Sequence, residues 1–134
     1  MPSLINLELQ NLTVYSLENL PNLRRLHVKD CNLSKLDNRG FQTMPSLEVF
    51  ELFGSNLTNL CLKDLCNLRK FQIDEQENID FLQTLPKSLN ILTLRCQTTE
   101  GLQFSLSNLQ VLNLSFNKLY KQNLEIITKF SLLS

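Results

Sequence analysis

The chain has 134 residues, with 13 Lys and Arg against 13 Asp and Glu, so no global field draws it to nucleic acid or to an anionic membrane. Apolar residues make up 43%, yet no apolar run approaches the ~20 residues that a membrane span needs, and the first residues do not read as a secretory signal. Three glycines, four prolines and no tryptophan beside abundant leucine are unusual for a globular enzyme and fit a leucine-built array.

From the N-terminus, a frame beginning at Leu4, Leu23, Leu47, Leu68, Leu89 and Leu109 aligns six segments of the form LxxLxLxx: LINLELQN, LRRLHVKD, LEVFELFG, LRKFQIDE, LNILTLRC and LQVLNLSF. Their starts are 19 to 24 residues apart, and all eighteen key positions are apolar. Alternation with period two predicts a short strand in each segment, with its leucines on one side and the intervening residues on the other. One such strand cannot bury its apolar face, whereas equal coils stacked side by side form a parallel sheet backed by a continuous leucine core. A helix bundle is disfavoured, because the apolar spacings are three and two and because PN, PS and NL punctuate the approach to the strands. MPSL occurs at Met1 to Leu4 and again at Met44 to Leu47, so the chain is expected to open at a repeat boundary. In the fourth segment, DEQENID places Asn78 where an apolar residue belongs, which predicts a one-residue slip or a small bulged loop over Asp74 to Asp80.

These segments resemble the leucine-rich repeat, LxxLxLxxNxL. The copy from Leu23 to Ser46 is similar to the 24-residue repeat of extracellular animal proteins such as Toll-like receptors and related immune proteins, with Leu36 and Phe41 at its back-side positions. The resemblance implies an α/β solenoid. It would be a curved array of about six coils with a parallel sheet on the concave side, a mostly irregular or short-helical convex side, and one domain over residues 1–134. Capping segments of the family are not recognisable at either end, so self-association through uncapped ends is an expectation. The ninth repeat position, usually Asn or Cys bonding the neighbouring coil, reads Leu12, Cys31, Ser55, Gln76, Gln97 and Asn117, a ladder that looks mostly degraded.

Four cysteines allow three pairings on paper. Coils ~4.8 Å apart put Cys31 and Cys96 too far apart to bridge. Cys61 with Cys66 is the one tolerable pair, and Cys31 reads as a buried thiol. Sequons occur at Asn11, Asn32, Asn56 and Asn113. Asn32 and Asn56 are the glycosylation candidates, each expected just past a strand at a turn, whereas Asn113 lies on the strand's outward face.

Motifs of catalysis are missing: no GxSxG, Walker loop, HExxH or dinucleotide glycine pattern occurs. Cys31 and His27 stand about 13 Å apart in an extended segment. The expectation is a protein that is not an enzyme and uses no cofactor or metal. A binding surface is sought instead on the concave face, where the third, fifth and seventh residues of each segment point. The fifth-position row is Glu8, His27, Glu51, Gln72, Thr93 and Asn113; the second-position row, at the strand edge, includes Arg24, Glu48 and Arg69. Lateral charge pairing is the plainer explanation of these rows. Against it stand Val49, Phe53, Ile91 and Val111 on the same face, with Phe116 at its edge, since apolar side chains among charges make protein interfaces. The candidate ligand-binding residues are Arg24, His27, Lys29, Glu48, Glu51, Phe53, Arg69 and Asp74, gathered on three adjacent strands. The expected partner is a protein, not nucleic acid, with no membrane contact by this segment itself. An extracellular or cell-surface setting is expected if the parent chain carries a signal peptide. The alternatives are a cytoplasmic substrate-recognition or scaffold module of the ubiquitin-ligase adaptor type, and an inhibitor that wraps an enzyme.

Overall fold

A computed structural model describes residues 3–57, 61–76, 84–96 and 108–116. The elements in chain order are β1 (Asn6–Gln10), β2 (Arg25–Lys29), β3 (Asn32–Leu33), a 3-10 helix (Asn38–Thr43), β4 (Val49–Phe53), β5 (Asn56–Leu57), β6 (Lys70–Gln76), β7 (Ile91–Cys96) and β8 (Val111–Phe116). Six of the strands form one parallel sheet in the order β1-β2-β4-β6-β7-β8, and β3 with β5 forms a second, two-stranded sheet. The chain winds as a parallel-sheet solenoid of about four turns with almost no helix. The helical half of the expected α/β class is therefore corrected: among the described residues it amounts to the single 3-10 helix. The described connections run as isolated turns, such as Leu36 N–H to Leu33 O and Leu65 N–H to Leu62 O, between extended stretches that pair with the next coil, as Val14 N–H does with Asn32 O.

The pairing register holds the apolar frame in alignment. Leu7 lies opposite Leu26, Leu26 opposite Phe50, Phe50 opposite Phe71, Phe71 opposite Leu92 and Leu92 opposite Leu112. Behind the sheet, Leu26, Leu52, Phe71, Ile73, Leu92 and Leu94 are fully buried or nearly so, each worth about 1.5–3 kcal/mol relative to exposure. Phe41, Phe50 and Phe71 form an aromatic spine across coils, with ring centroids 5.7 Å and 5.6 Å apart.

β2, β4, β6 and β7 are entered the same way. The amide of the first leucine donates to the carbonyl three residues back, at 3.2 Å for Leu23 to Leu20, Leu47 to Met44 and Leu89 to Pro86, and at 3.1 Å for Leu68 to Leu65. These are β-turns, and Pro21 and Pro45 occupy the position where a fixed φ favours them. The second-position carbonyls of Ile5, Arg24, Glu48, Arg69 and Asn90 then each accept two amides from the next coil, which uses both lone pairs. The expected punctuation also bonds between coils through its side chains: Asn67 Nδ2 donates to Pro45 O at 2.7 Å and Asn108 Nδ2 to Lys87 O at 2.9 Å.

Strands are left through a left-handed residue at the eighth position: Asn11 (φ 58°), Asp30 (φ 53°) and Gly54 (φ 57°), residue types that tolerate this region. The ninth position then continues the ladder with unexpected residues. Cys31 N–H donates to Ser55 Oγ at 3.3 Å, Cys31 Sγ–H to Lys29 O at 3.4 Å and Ser55 Oγ–H to Phe53 O at 3.1 Å. Between the coils of β2 and β4 the ladder is thus intact, carried by a hydroxyl where an amide was sought. In β6 the pairing with β7 shifts between Asp74 and Gln76, so the slip expected in the fourth segment is a bulge at Glu75, a residue whose side chain is not described. The remainder of that loop, residues 77–80, lies outside the described residues.

One placement is corrected. Asn32 and Asn56 do not lie at turns; they are paired with each other as β3 and β5. The corner at the left-handed residue sends the chain into a second extended stretch, whose amides pair again.

Behind the sheet, further contacts tie the connections together. The hydroxyl of Thr43 accepts Asn19 N–H at 3.2 Å, and that of Thr84 accepts Leu62 N–H at 3.1 Å, so the QT before each M/LP step bonds to the preceding coil. Asp37 caps the 3-10 helix by accepting Arg39 N–H at 2.9 Å. Gly40 is buried, and a Cβ there would overlap the Leu17 carbonyl oxygen. Gly40→Ala is therefore expected to destabilise the protein by about 2 kcal/mol or more, since main chain must move to admit a methyl group. The exposed Lys63→Ala should have almost no effect. Urea midpoints of the two variants check this.

Candidate functional site

Alternation brings the third, fifth and seventh residues of the second, third and fourth segments, on β2, β4 and β6, to the solvent face of the sheet as a grid: Arg25, His27 and Lys29; Val49, Glu51 and Phe53; Lys70, Gln72 and Asp74. Its centre is Glu51, a carboxylate only 9% exposed. Arg25 donates to Glu51 Oε1 through Nε at 3.0 Å and through Nη2 at 2.9 Å, while its Nη1 lies 3.7 Å from Glu8 Oε1. His27 stands in register between Glu8 and Glu51, with its ring 5.3 Å from that of Phe53. Its Nδ1 is 3.5 Å from Glu51 Oε1 but makes no hydrogen bond. We read this as proximity without alignment, because Arg25 already occupies the facing oxygen.

Burial works to raise the pKa of the Glu51 carboxyl, but the Arg25 hydrogen bonds and charge, then His27 and the Lys70 charge, outweigh it and hold the group below the usual glutamate range. A buried carboxylate is tolerated here because it is both paired and hydrogen-bonded.

The eight residues singled out from the sequence divide into groups. His27, Glu51 and Phe53 come together as expected, and Lys29 stands exposed opposite Phe53. Arg24, Glu48 and Arg69 precede the strands and border the face; it is their backbone carbonyls that carry the double hydrogen bonds between coils. Arg25, which is not among the eight, holds a corner of the grid opposite Val49. The alternation that turns His27 outward turns Arg25 outward too, so Arg25 was available from the sequence. Asp74 does face the grid, but its Oδ1 accepts Gly54 N–H at 2.7 Å, which occupies it in holding the exit of β4. That contact could not be foreseen, because it joins residues twenty apart through the particular turn at Gly54. Val111 is 41% exposed on the same face at β8; the side chains of Asn56, Cys96 and Phe116 are outside the described ones.

Of the cysteines, Cys31 is a buried free thiol as expected, and the exposed Cys66 is also free. Among the described residues no group of three or more His, Cys, Asp or Glu could hold a metal ion. The face carries charges, the Phe53 ring and valines on a paired backbone. No family model, curated protein or solved structure matches the chain.

Glu51→Gln is expected to cost about 1.5–3 kcal/mol at neutral pH, the range for hydrogen bonds to charged groups. The folded carboxyl lies below its unfolded value, so the contribution of Glu51 is complete above about pH 4.3 and is lost as pH falls through the lower folded value. The stability gap between wild type and Glu51→Gln should accordingly shrink in acid. Urea titrations at neutral pH and in acid check the sign; a gap that stays constant on acidification would refute the pairing.

Proposed function

We propose that the chain is a protein-binding module of the leucine-rich-repeat kind, an array of about six coils that engages its partner with the concave face of the sheet and forms part of an extracellular receptor or a secreted recognition protein. The observation that carries the reading is the grid. Half-buried Phe53 and Val49 are set among Arg25, Lys29 and Lys70 on a surface whose backbone is fixed on both sides by in-register pairing. Such a surface supplies an apolar anchor, orienting charges and little conformational entropy to lose, the features of a binding hot spot. The repeat assignment is supported by the alignment of the LxxLxLxx frame across the sheet and by the Cys31–Ser55 ladder.

An intracellular substrate-recognition or scaffold module is the second reading. The free thiols of Cys31 and Cys66 favour it, because thiols persist most readily in reducing compartments.

The binding test uses secreted proteins and receptor ectodomains as one panel and cytosolic proteins as another. For the partner found, Phe53→Ala should weaken binding by about 2 kcal/mol or more, while Lys63→Ala leaves it unchanged. Equal effects from both, or none from Phe53→Ala in a folded protein, would place recognition elsewhere.

A second expectation separates the two settings. Asn32 is exposed, and its Oδ1 accepts both the amide of Ser34 at 3.0 Å and its hydroxyl at 2.7 Å, which brings together the two ends of the sequon. Secretion from a eukaryotic host should add a glycan at Asn32, seen as a mass decrease on glycosidase treatment and abolished by Asn32→Gln. A secreted product of unmodified mass would favour the intracellular reading.

A further inference from the structure

The chain is neutral overall, but the grid is not neutral toward an approaching surface. Its acids are engaged inward: Glu51 is buried under Arg25, and Asp74 is bonded to Gly54 N–H. Its lysines are not. Lys29 is exposed and Lys70 half-buried, and the side-chain ammonium of neither forms an ion pair or hydrogen bond with another described residue; the Lys70 charge reaches Glu51 only through space. Glu8 and Glu48 lie outside the grid, the first beside Arg25 and the second before β4.

Register then fixes where the two cations stand. Lys29 is opposite Phe53 and Lys70 is opposite Val49, so they sit at opposite corners of the grid, with the β4 column between them carrying Val49 and Phe53 on either side of the Arg25-paired Glu51. Two strand spacings separate them laterally and four residues lengthwise, a diagonal of about 16 Å. An extended peptide covers that in about five residues.

We infer that the partner presents an extended acidic segment, with two carboxylates about five residues apart and an apolar side chain between them that packs on Phe53 and Val49. This rests on the reading of the sheet face as the binding surface. Charge complementarity selects the occupant: cations at the corners, an aromatic ring and a valine along the middle, and acids already satisfied from within. Nucleic acid is disfavoured because the balanced total charge supplies no long-range attraction to a phosphate backbone.

The test is selection of random linear peptides on the immobilised full chain, followed by binding titrations of the selected peptides. The expected result is enrichment of paired Asp or Glu about five positions apart flanking Leu, Phe or Tyr. Binding should be roughly tenfold weaker to the double variant Lys29→Glu, Lys70→Glu and unchanged by Lys63→Glu, with circular dichroism confirming that each variant is folded. Peptides without acidic enrichment, no selected peptide at all, or undiminished binding to the double variant would overturn the proposal. If such peptides still lose affinity on Phe53→Ala, the binding face stands and only the acidic partner falls. Insensitivity to Phe53→Ala as well removes both. Displacement by double-stranded DNA with the same dependence on the two lysines would mean a general polyanion surface and would also overturn the acidic peptide.

Discussion

A strand of five residues with leucines on one side gains almost nothing alone, because its apolar face needs a second layer and its backbone needs neighbours on both edges. In-register parallel pairing meets both needs together, and the other features of this solenoid serve it. The turn before each first leucine, the carbonyl that accepts two amides, and the left-handed residue at the strand exit recur because any drift in register would move the Leu26, Phe50, Phe71 and Leu92 row out of the core. A slip of one residue would exchange the buried and exposed faces entirely. Among the described residues, such a slip falls at the end of β6, where the shift beyond Asp74 lies past that strand's last core residue, Ile73.

The same constraint makes the outer face a site. Parallel strands hold residues of equal position about 4.8 Å apart, so an arginine, a histidine and a glutamate on neighbouring strands must interact whether or not they bind anything. Glu51 illustrates the consequence. Its carboxylate faces outward yet is buried by its neighbours, and Arg25 places both donors on one of its oxygens. That pairing neutralises the centre of the face, with lysines at two of its corners and the Phe53 ring beside His27.

The coils are also tied on their backs by small polar side chains that act through single hydrogen bonds. Thr43 and Thr84 accept amides from the preceding coil, Asn67 and Asn108 donate to carbonyls of the preceding turn, and Ser55 accepts from Cys31. Each satisfies a backbone group that would otherwise be left unpaired when the coils stack. Gly40 contributes by lacking a side chain, since the Leu17 carbonyl occupies the space a Cβ would need.

Much of this was legible in the amino-acid sequence, because periodicity is a local property. The LxxLxLxx frame determined which residues form the strands, which side of each is buried, that the strands lie parallel, and that Cys31 is a buried thiol. It also determined that His27 stands between Glu8 and Glu51, since equal positions in equal coils must align. What only the tertiary structure decided concerns directions and partners between residues about twenty apart. The Arg25 guanidinium lands on one oxygen of Glu51, Asp74 turns to Gly54 N–H, Asn32 and Asn56 pair as strands, the ninth-position ladder survives on a serine, and the described connections hold a single 3-10 helix. The physical reason is that a repeat pattern specifies where each side chain emerges, whereas the hydrogen bonds it makes depend on how the turn in the neighbouring coil presents its amides and carbonyls.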